Sequence, residues 1–413
     1  MNMSEVKVSV VMPVYNASRY LEETLGYVLN QTLREIELIC VDDGSTDDSL
    51  DILKRYKEQD KRLMIVCQKN QYAGVARNNG LAVANGKYVI FWDADDIFRE
   101  DALEKLYQKA EEDSAQITIC AANKYDEAYD VKILTNTYLV KDRLPENVPF
   151  ERKEIDKYLF TFAANVPWNK LYLRSFVLEH KLQFENRKQA NDAYFVMMSL
   201  FYAKKFSVVD ETLIDYRIGT ESSTTDRVSD TPLCACEAYE TVWNELKKLG
   251  GYDGDIEQSF VNKILNSTMY ILSIQNTYDA FKTVFDYLKN TLYVELQMEH
   301  KNEDYFYNLN NYADYKMIID CCAEEFLVYK MKMMSEDTRR KNSRIRELRE
   351  RRNALIEQRN SLKEERAQLK KELAECKKVN KQQKKILDSR TVRYALKLKR
   401  ILTLNGRLKK KSK

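Results

Sequence analysis

The sequence predicts an α/β domain at the N-terminus, followed by an all-α region and a C-terminal coiled coil. Between residues 6 and 122, short apolar runs alternate with segments in which apolar residues recur at helical spacing. Residues 231–334 show helical patterns alone, and further on leucine recurs every seven residues. Strands separated by helices of this length form right-handed βαβ units, so we expect a mainly parallel sheet.

The α/β part contains five predicted strands and four predicted helices. The strands are Val6–Met12, Ile36–Val41, Leu63–Cys67, Tyr88–Trp92 and Ile117–Ala121. The helices are Ser18–Asn30, one that opens at Thr46 or Asp47, Gly74–Ala84 and Ala102–Ala110. Two more strand-like runs, Phe206–Val209 and Leu213–Tyr216, follow a less regular stretch. This order favours a Rossmann-like nucleotide-binding domain.

Composition and charge restrict the function classes. The 413 residues are 44% hydrophobic, which is enough for more than one core. No run approaches a membrane span, and the N-terminus passes directly into a strand pattern, so we expect no signal peptide. The eight cysteines have no metal-ligand spacing, so we expect reduced, buried thiols in a cytosolic protein, with Cys40, Cys67 and Cys120 in core strands. With only two histidines, a multi-histidine metal site or a Ser-His-Asp relay is difficult to build.

Three carboxylates follow the strand Tyr88–Trp92 directly. Asp93, Asp95 and Asp96 would emerge together at its carboxyl end, where ligands bind in open α/β sheets. Carboxylates so close repel one another unless a cation lies between them, and a hard divalent ion suits an all-oxygen site. The simpler interpretation is that these residues are surface acids at the start of a helix. The motif alone does not favour either interpretation, the metal site or the helix start.

Other polar residues lie at the ends of neighbouring predicted strands. Tyr15, in the turn after the first strand, offers a flat face for a base, and Asp42 or Asp43 offers hydrogen-bond acceptors for a base or ribose. Arg77 begins the helix after the third strand and is placed to pair with an acid or phosphate. Each has an ordinary structural explanation, but together they lie on one rim of one sheet.

These motifs resemble those of the family 2 glycosyltransferases, inverting enzymes with the GT-A fold. Six blocks carry the resemblance in the right order over roughly residues 5–220: Val8–Asn16, Val41–Asp47, Gly74–Gly80, Gly86–Asp96, Pro167–Tyr172 and Asn191–Phe195.

The resemblance implies roles for particular residues. It implies a metal-binding pair, Asp93 and Asp95, that holds Mn²⁺ or Mg²⁺ on the donor's diphosphate, and a catalytic base, Asp192. Asn191 stands where the family usually has Glu. An asparagine can still form hydrogen bonds but lacks the negative charge, so the chemical environment of Asp192 differs here from the usual family form. The nucleotide would be held by Pro13, Val14, Tyr15, Asp42, Asp43, Arg77 and Asp93, and the acceptor by Trp168, Asn169, Lys170 and Asn191.

The C-terminal 83 residues are strongly basic. Residues 331–413 have 29 Lys/Arg against 10 Asp/Glu, whereas residues 1–330 have a net charge of −16. Residues 335–388 form the predicted coiled coil, with Leu348, Leu355, Leu362 and Leu369 in one row. The heptad positions three residues before these leucines form the second row of the seam, and three of them are arginines. Because arginines weaken a dimer seam, a single solvated helix is the alternative to a homo-oligomer.

The tail, residues 389–413, has ten Lys/Arg and no acid, and its apolar residues gather on one helical side. This pattern favours binding to an anionic membrane surface, with a disordered solubilising tail as the alternative. No nucleic-acid-binding motif accompanies the charge, so nucleic acid is not an expected partner.

The predicted organisation is thus a GT-A domain over 1–230, a helical domain over 231–334, the coiled coil and the tail. We expect a cytoplasmic bacterial enzyme that moves a sugar from a nucleotide-sugar, usually a UDP-sugar, to a glycan or lipid-linked acceptor in surface polysaccharide biosynthesis. Where its tail binds anionic lipid, the enzyme would be peripheral on the inner membrane face. An inactive scaffold acting through its coiled coil is the second hypothesis, favoured only by Asn191. A sugar-phosphate nucleotidyltransferase is the third, but it calls for a Gly-rich loop where the chain has Pro13–Asn16.

Overall fold

The structure is a computed structural model that describes residues 5–219, 228–250, 252 and 254–408. The chain divides into two compact units, one up to Phe326 and one from Leu327. The first unit holds a ten-stranded sheet. The strands are β1 Val8–Val14, β2 Ile36–Asp42, β3 Leu63–Cys67, β4 Tyr88–Phe91, β5 Ile97–Phe98, β6 Ile117–Asp126, β7 Val131–Ile133, β8 Phe150–Glu151, β9 Lys170–Leu173 and β10 Lys205–Ile218.

Thirteen α-helices lie within the described residues. They are α1 Ser18–Leu29, α2 Ser49–Gln59, α3 Tyr72–Val83, α4 Ala102–Asp113, α5 Arg174–Glu179, α6 Ala193–Tyr202, α7 Cys234–Leu249, α8 Asp255–Ser273, α9 Tyr278–Tyr287, α10 Tyr293–Glu295, α11 Leu309–Asp320, α12 Ala323–Leu387 and α13 Arg390–Leu408.

The sheet is mixed rather than mainly parallel. Its order is β3-β2-β1-β4-β9-β6-β10-β5, with β7 paired to β6 and β8 to β10. The half formed by β3, β2, β1 and β4 is parallel, as predicted. In the other half β6 and β10 also pair in parallel, but β9 lies antiparallel between β4 and β6. Strands β5, β7 and β8 are antiparallel to their neighbours as well, so the prediction of a mainly parallel sheet is wrong for these strands.

Burial explains why the parallel strands are apolar throughout. Six of the seven β1 residues, and all of β4 together with Trp92, are almost or completely inaccessible, since helices cover both faces of this part of the sheet. Strand β3 is at the edge, and Cys67 at its end is exposed, which corrects its predicted burial. Cys40 and Cys120 are buried as predicted.

One carboxylate starts two helices. Asp47 Oδ2 accepts the Ser18 N–H at 3.0 Å and Oδ1 accepts the Ser49 N–H at 3.1 Å. Although burial acts to raise its pKa, these hydrogen bonds lower the pKa of Asp47 to about 2. The loops that follow β1 and β2 are therefore tied to each other at the edge where the predicted site lies.

The region after β10 is helical, as predicted, and it belongs to the same compact unit as the sheet. Helices α7 and α8 pack their apolar faces inward, and the Ser259 hydroxyl of α8 accepts the Phe160 N–H at 2.9 Å. The predicted divisions at 230/231 and 334/335 stay predictions; the second falls inside the continuous helix α12.

The second unit consists of the rest of α12 and of α13. The leucines of the predicted seam are about half exposed, from 50% at Leu348 to 58% at Leu362. A turn at Asp388 and Ser389 separates the two helices, and Arg393 pairs with Asp388 across it at 2.9 Å. Of the predicted tail, residues 409–413 lie outside the described residues. Within the described ranges, no helix is both long and apolar enough to cross a membrane.

Candidate active site

The ends of β1, β2 and β4 form one rim, because parallel pairing brings their carboxyl ends together. Val14 lies in register with Asp42, and the Asp43 N–H donates to the Val14 carbonyl at 2.8 Å. Beyond β4, the Trp92 N–H donates to the Val11 carbonyl at 3.1 Å. The side chains that follow these strands are therefore held at one edge of the sheet.

The residues at the end of β1 differ in their exposure to solvent. Tyr15 is 50% exposed, whereas Val14 is fully buried in the core and Pro13 is half-buried. Asn16 has a left-handed backbone (φ 50°), and its side-chain oxygen accepts the Thr46 N–H at 2.8 Å. Tyr15 thus presents a ring to solvent, and the Val14 side chain supports the rim from below.

The two acids after β2 are both buried but differ in their partners. Asp43 Oδ1 accepts the Gln68 side-chain amide at 2.7 Å and the Gln71 N–H at 2.8 Å. Asp42 Oδ1 accepts only a longer bond, 3.3 Å, from the Ser45 N–H. Asp43 therefore holds the start of α3, and Asp42 has more of its hydrogen-bonding capacity left.

Arg77 joins two parts of the predicted site. Its Nη2 donates to Asp93 Oδ1 at 2.6 Å, and its Nη1 donates to Asn191 Oδ1 at 2.9 Å. The guanidinium is buried and lies over the Phe184 ring, with its centre 5.4 Å from the ring centroid. A planar fork of this kind fixes both partners in direction as well as in distance.

The three acids after β4 separate into a pair and a structural residue. Asp93 and Asp95 are partly exposed at the rim, whereas Asp96 is fully buried and accepts the Arg217 N–H at 3.0 Å. Burial, followed by the charges of Asp95 and Asp93, raises the pKa of Asp96 well above its usual range. Asp96 supports the loop from inside.

Arg217 is a buried residue that holds this loop and that was not among the predicted site residues. Its Nε donates to the Asp95 carbonyl at 2.8 Å, and its guanidinium lies 4.7 Å from the Tyr20 ring centroid. One feature of the sequence could have indicated its role: Arg217 directly continues the strand-like run Leu213–Tyr216. An arginine that is buried in a strand needs hydrogen-bond acceptors close by.

The Asp93/Asp95 pair has the chemistry of a divalent-ion site. Burial, followed by the Asp93 charge, raises the pKa of Asp95 to about 6. A cation between the carboxylates would relieve that cost. Among the described residues no three or more His, Cys, Asp or Glu side chains are grouped to hold an ion. Magnesium in phosphate-binding sites is commonly held by one or two carboxylates plus the substrate's phosphates, so the pair fits such an ion.

Asp192 stands at the start of α6, beside the Arg77 fork. Its carboxylate makes no capping bond to the helix, while its carbonyl accepts the Val196 N–H at 2.9 Å. Burial raises the pKa of Asp192, and the charges of Arg77 and Lys170 act in the opposite direction. The loop ahead of it has a left-handed residue, Ala190 (φ 51°). Non-glycine residues in this conformation cluster at functional sites.

The loop before Asp192 is anchored to the helical region. Arg187 Nη1 donates to Glu237 at 3.1 Å, and Nη2 donates to the Thr241 hydroxyl at 3.1 Å, both on α7. The Glu185 N–H donates to the Asn191 carbonyl at 3.0 Å, which closes the loop on itself. The position of Asp192 therefore depends on both the sheet domain and α7.

Gly74 permits this loop to approach α3, which yields a prediction. A methyl group at Gly74 would lie 2.2 Å from the Glu185 carbonyl oxygen and 3.0 Å from Asn191 Cβ. We expect Gly74→Ala to lower the free energy of unfolding by about 1–3 kcal/mol, because backbone must move to make room. Urea denaturation measures the change.

The control for this substitution is Gly26→Ala in α1, where an added methyl group meets nothing within 4 Å. It is expected to raise stability by about 0.5–1 kcal/mol, the ordinary gain from replacing a helical glycine. Equal effects of the two substitutions would contradict the close approach at Gly74.

Three residues expected to bind the acceptor, Trp168, Asn169 and Lys170, are buried and make their contacts inside the protein. Trp168 is stacked on Tyr216 with ring centroids 5.5 Å apart, and the Asn169 amide donates to the Cys120 carbonyl at 3.0 Å. Lys170 Nζ donates to the Ala164 and Val166 carbonyls at 2.7 and 2.8 Å, and burial lowers its pKa to about 7. These side chains support the interior because β9 is a central strand.

Two further groups near Asp192 come from the helical region and were missed in the sequence. Burial is the main cause of the pKa shifts of Lys263 of α8 and Tyr239 of α7, and the Asp192 charge acts to raise both pKa values. Burial lowers the pKa of Lys263 to about 8, although Asp192 opposes this shift. Neither residue stands out in the sequence, because each has ordinary helical spacing. The roles predicted for seven other site residues are retained as proposals. These residues are Tyr15, Asp42, Arg77, Asp93, Asp95, Asn191 and Asp192.

Comparison with known proteins places the chain in a family. The family model "Glycosyl transferase family 2" matches residues 9–180. The chain is 30% identical over 295 residues to the putative glycosyltransferase EpsH of Bacillus subtilis, covering 70% of this chain and 83% of EpsH. It is 30% identical over 302 residues to the cholesterol galactosyltransferase of Borreliella burgdorferi, covering 70% of this chain and 80% of that protein.

A third relative is much longer than the matched region. The chain is 33% identical over 216 residues to glycosyltransferase GlyA of Streptococcus pneumoniae, covering 51% of this chain and 30% of GlyA. The EpsH match extends beyond the region of the six sequence blocks, and with the family model it confirms the predicted fold class, a GT-A domain followed by a helical region. The chain is a sugar-transferring enzyme and belongs to the family 2 glycosyltransferases.

Proposed function

We propose that this glycosyltransferase is metal-dependent and inverting, and that it moves a hexose or N-acetylhexosamine from a UDP-sugar to a hydroxyl of a glycan or lipid-linked acceptor in surface polysaccharide biosynthesis. The observation that carries the proposal is the Arg77 fork, which joins Asp93 on the donor side to Asn191 beside Asp192. The proposed donor-binding residue Asp93 and the proposed base Asp192 would thus lie on opposite sides of the Arg77 guanidinium.

The donor side is formed by the sheet rim. Tyr15 would stack on the base, and Asp42 would accept hydrogen bonds from the base or ribose. Asp93 and Asp95 would hold Mn²⁺ or Mg²⁺, which when bound offsets negative charge on the donor's diphosphate. Arg77 adds a fixed positive charge close to the same groups, and its buried Nε lacks a hydrogen-bond partner among the described residues.

Asp192 would act as the base in a single displacement. The acceptor oxygen attacks the anomeric carbon from the face opposite the leaving group, and its proton passes to the Asp192 carboxylate. The bond between the anomeric carbon and the diphosphate oxygen breaks, and its electron pair stays on the nucleoside diphosphate. Arg77 and Lys170 support the ionised form of Asp192 that this step requires.

The nature of the acceptor is supported by one relative. The cholesterol galactosyltransferase similar to this chain takes, by its name, a lipid hydroxyl as acceptor and galactose as donor sugar. A hydroxyl on a lipid-linked glycan fits the same chemistry. The scaffold hypothesis depended on Asn191, and we do not carry it further, because the Asn191 side-chain oxygen accepts from Arg77 as a carboxylate oxygen would.

The main test is calorimetric binding of UDP, GDP and dTDP, each with and without Mn²⁺. We expect metal-dependent binding of UDP, and we expect Asp95→Ala to remove the metal dependence. Binding of none of the three, or binding unaffected by Mn²⁺ and by Asp95→Ala, would contradict the proposal.

The tail offers a prediction about location. Helix α13 exposes Tyr394, Leu396, Leu398 and Leu402 together with its basic residues, which suits an anionic lipid surface. We propose that it places the enzyme on the inner membrane face, where lipid-linked acceptors lie. A chain ending at Asp388 should lose binding to liposomes containing anionic lipid, because both the charge and the apolar residues are removed.

The control for the tail is the pair Leu398→Ser and Leu402→Ser, which keeps every charge. Weakened binding in this variant separates insertion of apolar side chains from charge attraction. Equal cosedimentation of the full and shortened chains with anionic liposomes would refute membrane docking.

The coiled coil offers a prediction about assembly. We propose a parallel, in-register homodimer along the row from Leu348 to Leu369, with Cys376 next in the same row. Cys376 is exposed, so in such a dimer two thiols face each other across the seam. Oxidation with copper phenanthroline should convert the two thiols to a disulfide and yield a covalent dimer.

The matched control is Cys376→Ser, which retains the exposed Cys67 and Cys322. It should yield no covalent dimer. A monomeric mass in sedimentation equilibrium, or a covalent dimer that persists in Cys376→Ser, would contradict the parallel pairing.

A further inference from the structure

A groove lies between the loop before Asp192 and helices α7 and α8. Its volume is about 350 Å³, within the roughly 300–1,000 Å³ of small-molecule sites. Its lining residues come from the loop, from α7 and from α8, together with Val228, which lies ahead of α7. Nine residues line the groove, among them Gln189, Tyr239, Ser267 and Tyr270.

The groove is adjacent to the proposed base. Gln189 is three residues before Asp192, and its carbonyl accepts the Cys234 thiol at 3.2 Å, which ties the loop to the start of α7. Tyr239 lines the groove and its hydroxyl bonds to Ser267; burial raises the pKa of Tyr239, and the Asp192 charge adds to that shift. Lys263, whose pKa is lowered by burial and raised by the Asp192 charge, is one helical turn before Ser267 on α8.

The lining chemistry indicates the class of ligand. None of the nine lining side chains is charged, and they combine tyrosine rings and aliphatic groups with amides and hydroxyls. Tyr270 is 59% exposed, so its ring is available as a flat surface. Such a site suits a neutral molecule with one apolar face and several hydroxyl groups, the character of a sugar ring.

We propose that this groove is the acceptor subsite and that it binds a neutral glycosyl unit with one hydroxyl directed toward Asp192. The inference rests on the proposed function of Asp192 as the base. It makes α7 and α8 part of the active site rather than a support for the sheet. It also supplies an acceptor surface in place of Trp168, Asn169 and Lys170, which are buried.

The experiment is saturation-transfer NMR titration of the full chain with octyl β-glucoside, octyl β-galactoside and octyl N-acetyl-β-glucosaminide, in the presence of UDP and Mn²⁺. We expect at least one glycoside to bind the unaltered chain. Tyr270→Ala should weaken that binding by about fivefold, the loss of one ordinary ring contact, and Tyr270→Phe should retain it because the ring remains. The matched surface control is Tyr129→Ala, whose parent side chain is 79% exposed in the turn between β6 and β7.

The outcomes separate this inference from the proposed function. UDP is titrated first, and failure of UDP to bind overturns the proposed function and the subsite together. If UDP binds but no glycoside does, the subsite is refuted while the donor site stands. Equal glycoside affinity in Tyr270→Ala and Tyr129→Ala also refutes it. Selective weakening in Tyr270→Ala, with UDP affinity unchanged, supports it.

Discussion

Replacing Asp192 by Asn is expected to lower sugar transfer by about 10²- to 10⁴-fold, the usual contribution of a positioned general base. The amide keeps the size of the side chain but cannot take a proton from the acceptor hydroxyl. Because Asp192 lies on the acceptor side of the Arg77 fork, nucleotide affinity should stay unchanged. The measurements are initial rates of nucleoside diphosphate release with acceptor present, and calorimetric titration with UDP and Mn²⁺.

The pH profile of the unaltered enzyme gives a second readout of the same residue. Burial raises the folded-state pKa of Asp192, so the ionised base is present above that raised pKa and is lost as the pH falls through it. The acid limb of kcat/KM should therefore lie above the ordinary aspartate pKa of about 3.9. Asp192→Asn should remove that limb from the residual activity.

The control is Asp51→Asn, which changes a carboxylate that is 79% exposed on α2. Its rate and pH profile should match those of the unaltered enzyme. Transfer by Asp192→Asn at the rate of the Asp51→Asn control would show that another group removes the proton.

The second large effect is expected from Arg77→Met. Removal of the guanidinium leaves Asp93 Oδ1 and Asn191 Oδ1 without their donor at 2.6 and 2.9 Å. Breaking a buried ion pair costs about 3–5 kcal/mol, and the partial exposure of Asp93 reduces that to about 2–3 kcal/mol. Affinity for UDP with Mn²⁺ should fall at least about tenfold, the value of one charge-assisted hydrogen bond.

Two variants test whether the fork geometry matters. Arg77→Lys keeps the charge but cannot bond to both partners with a planar group, so it should recover less than half of the lost stability. Arg55→Met removes an arginine that is 54% exposed and paired with Glu22, and it should change stability by less than about 0.5 kcal/mol. Urea denaturation and UDP titration compare all three, and equal midpoints for Arg77→Met and Arg55→Met would contradict the role of the fork.

The parallel half of the sheet was predictable because local pattern and burial agree there. Apolar runs such as Tyr88–Phe91 are buried on both faces, so the sequence shows them as continuous. The carboxyl-end rule then places Asp93 and Asp95 beside the residues that follow β1 and β2. The proposed donor residues followed from those two local facts.

The mixed half of the sheet, in which β9 lies antiparallel between β4 and β6, was not predictable in the same way. Strand β9 contains Lys170, which no strand pattern would place in a core, because its burial depends on carbonyls of Ala164 and Val166 in the preceding loop. Such long-range compensation leaves no periodic signal. For the same reason Trp168 and Asn169 appeared suited to an acceptor, although their partners lie inside the protein.

The groove beside Asp192 was invisible for a further reason. Tyr239 and Tyr270 lie on separate helices, and their spacing along each helix is that of ordinary packing. Only the folding of α7 and α8 against the loop before Asp192 brings them into the lining of one groove. Residues from different elements that meet at a site cannot be recognised from the spacing within any one element.

In the proposed mechanism Arg77 has a consequence for the strength of ligand binding. Its two hydrogen bonds would go to the donor side and the acceptor side of the reaction, so a ligand that draws Asp93 toward itself would also alter the bond to Asn191. Thermodynamic linkage then requires reciprocity: whatever donor binding does to acceptor affinity, acceptor binding does to donor affinity by the same factor. Through one shared guanidinium, the two proposed substrates would act as reciprocal effectors of each other.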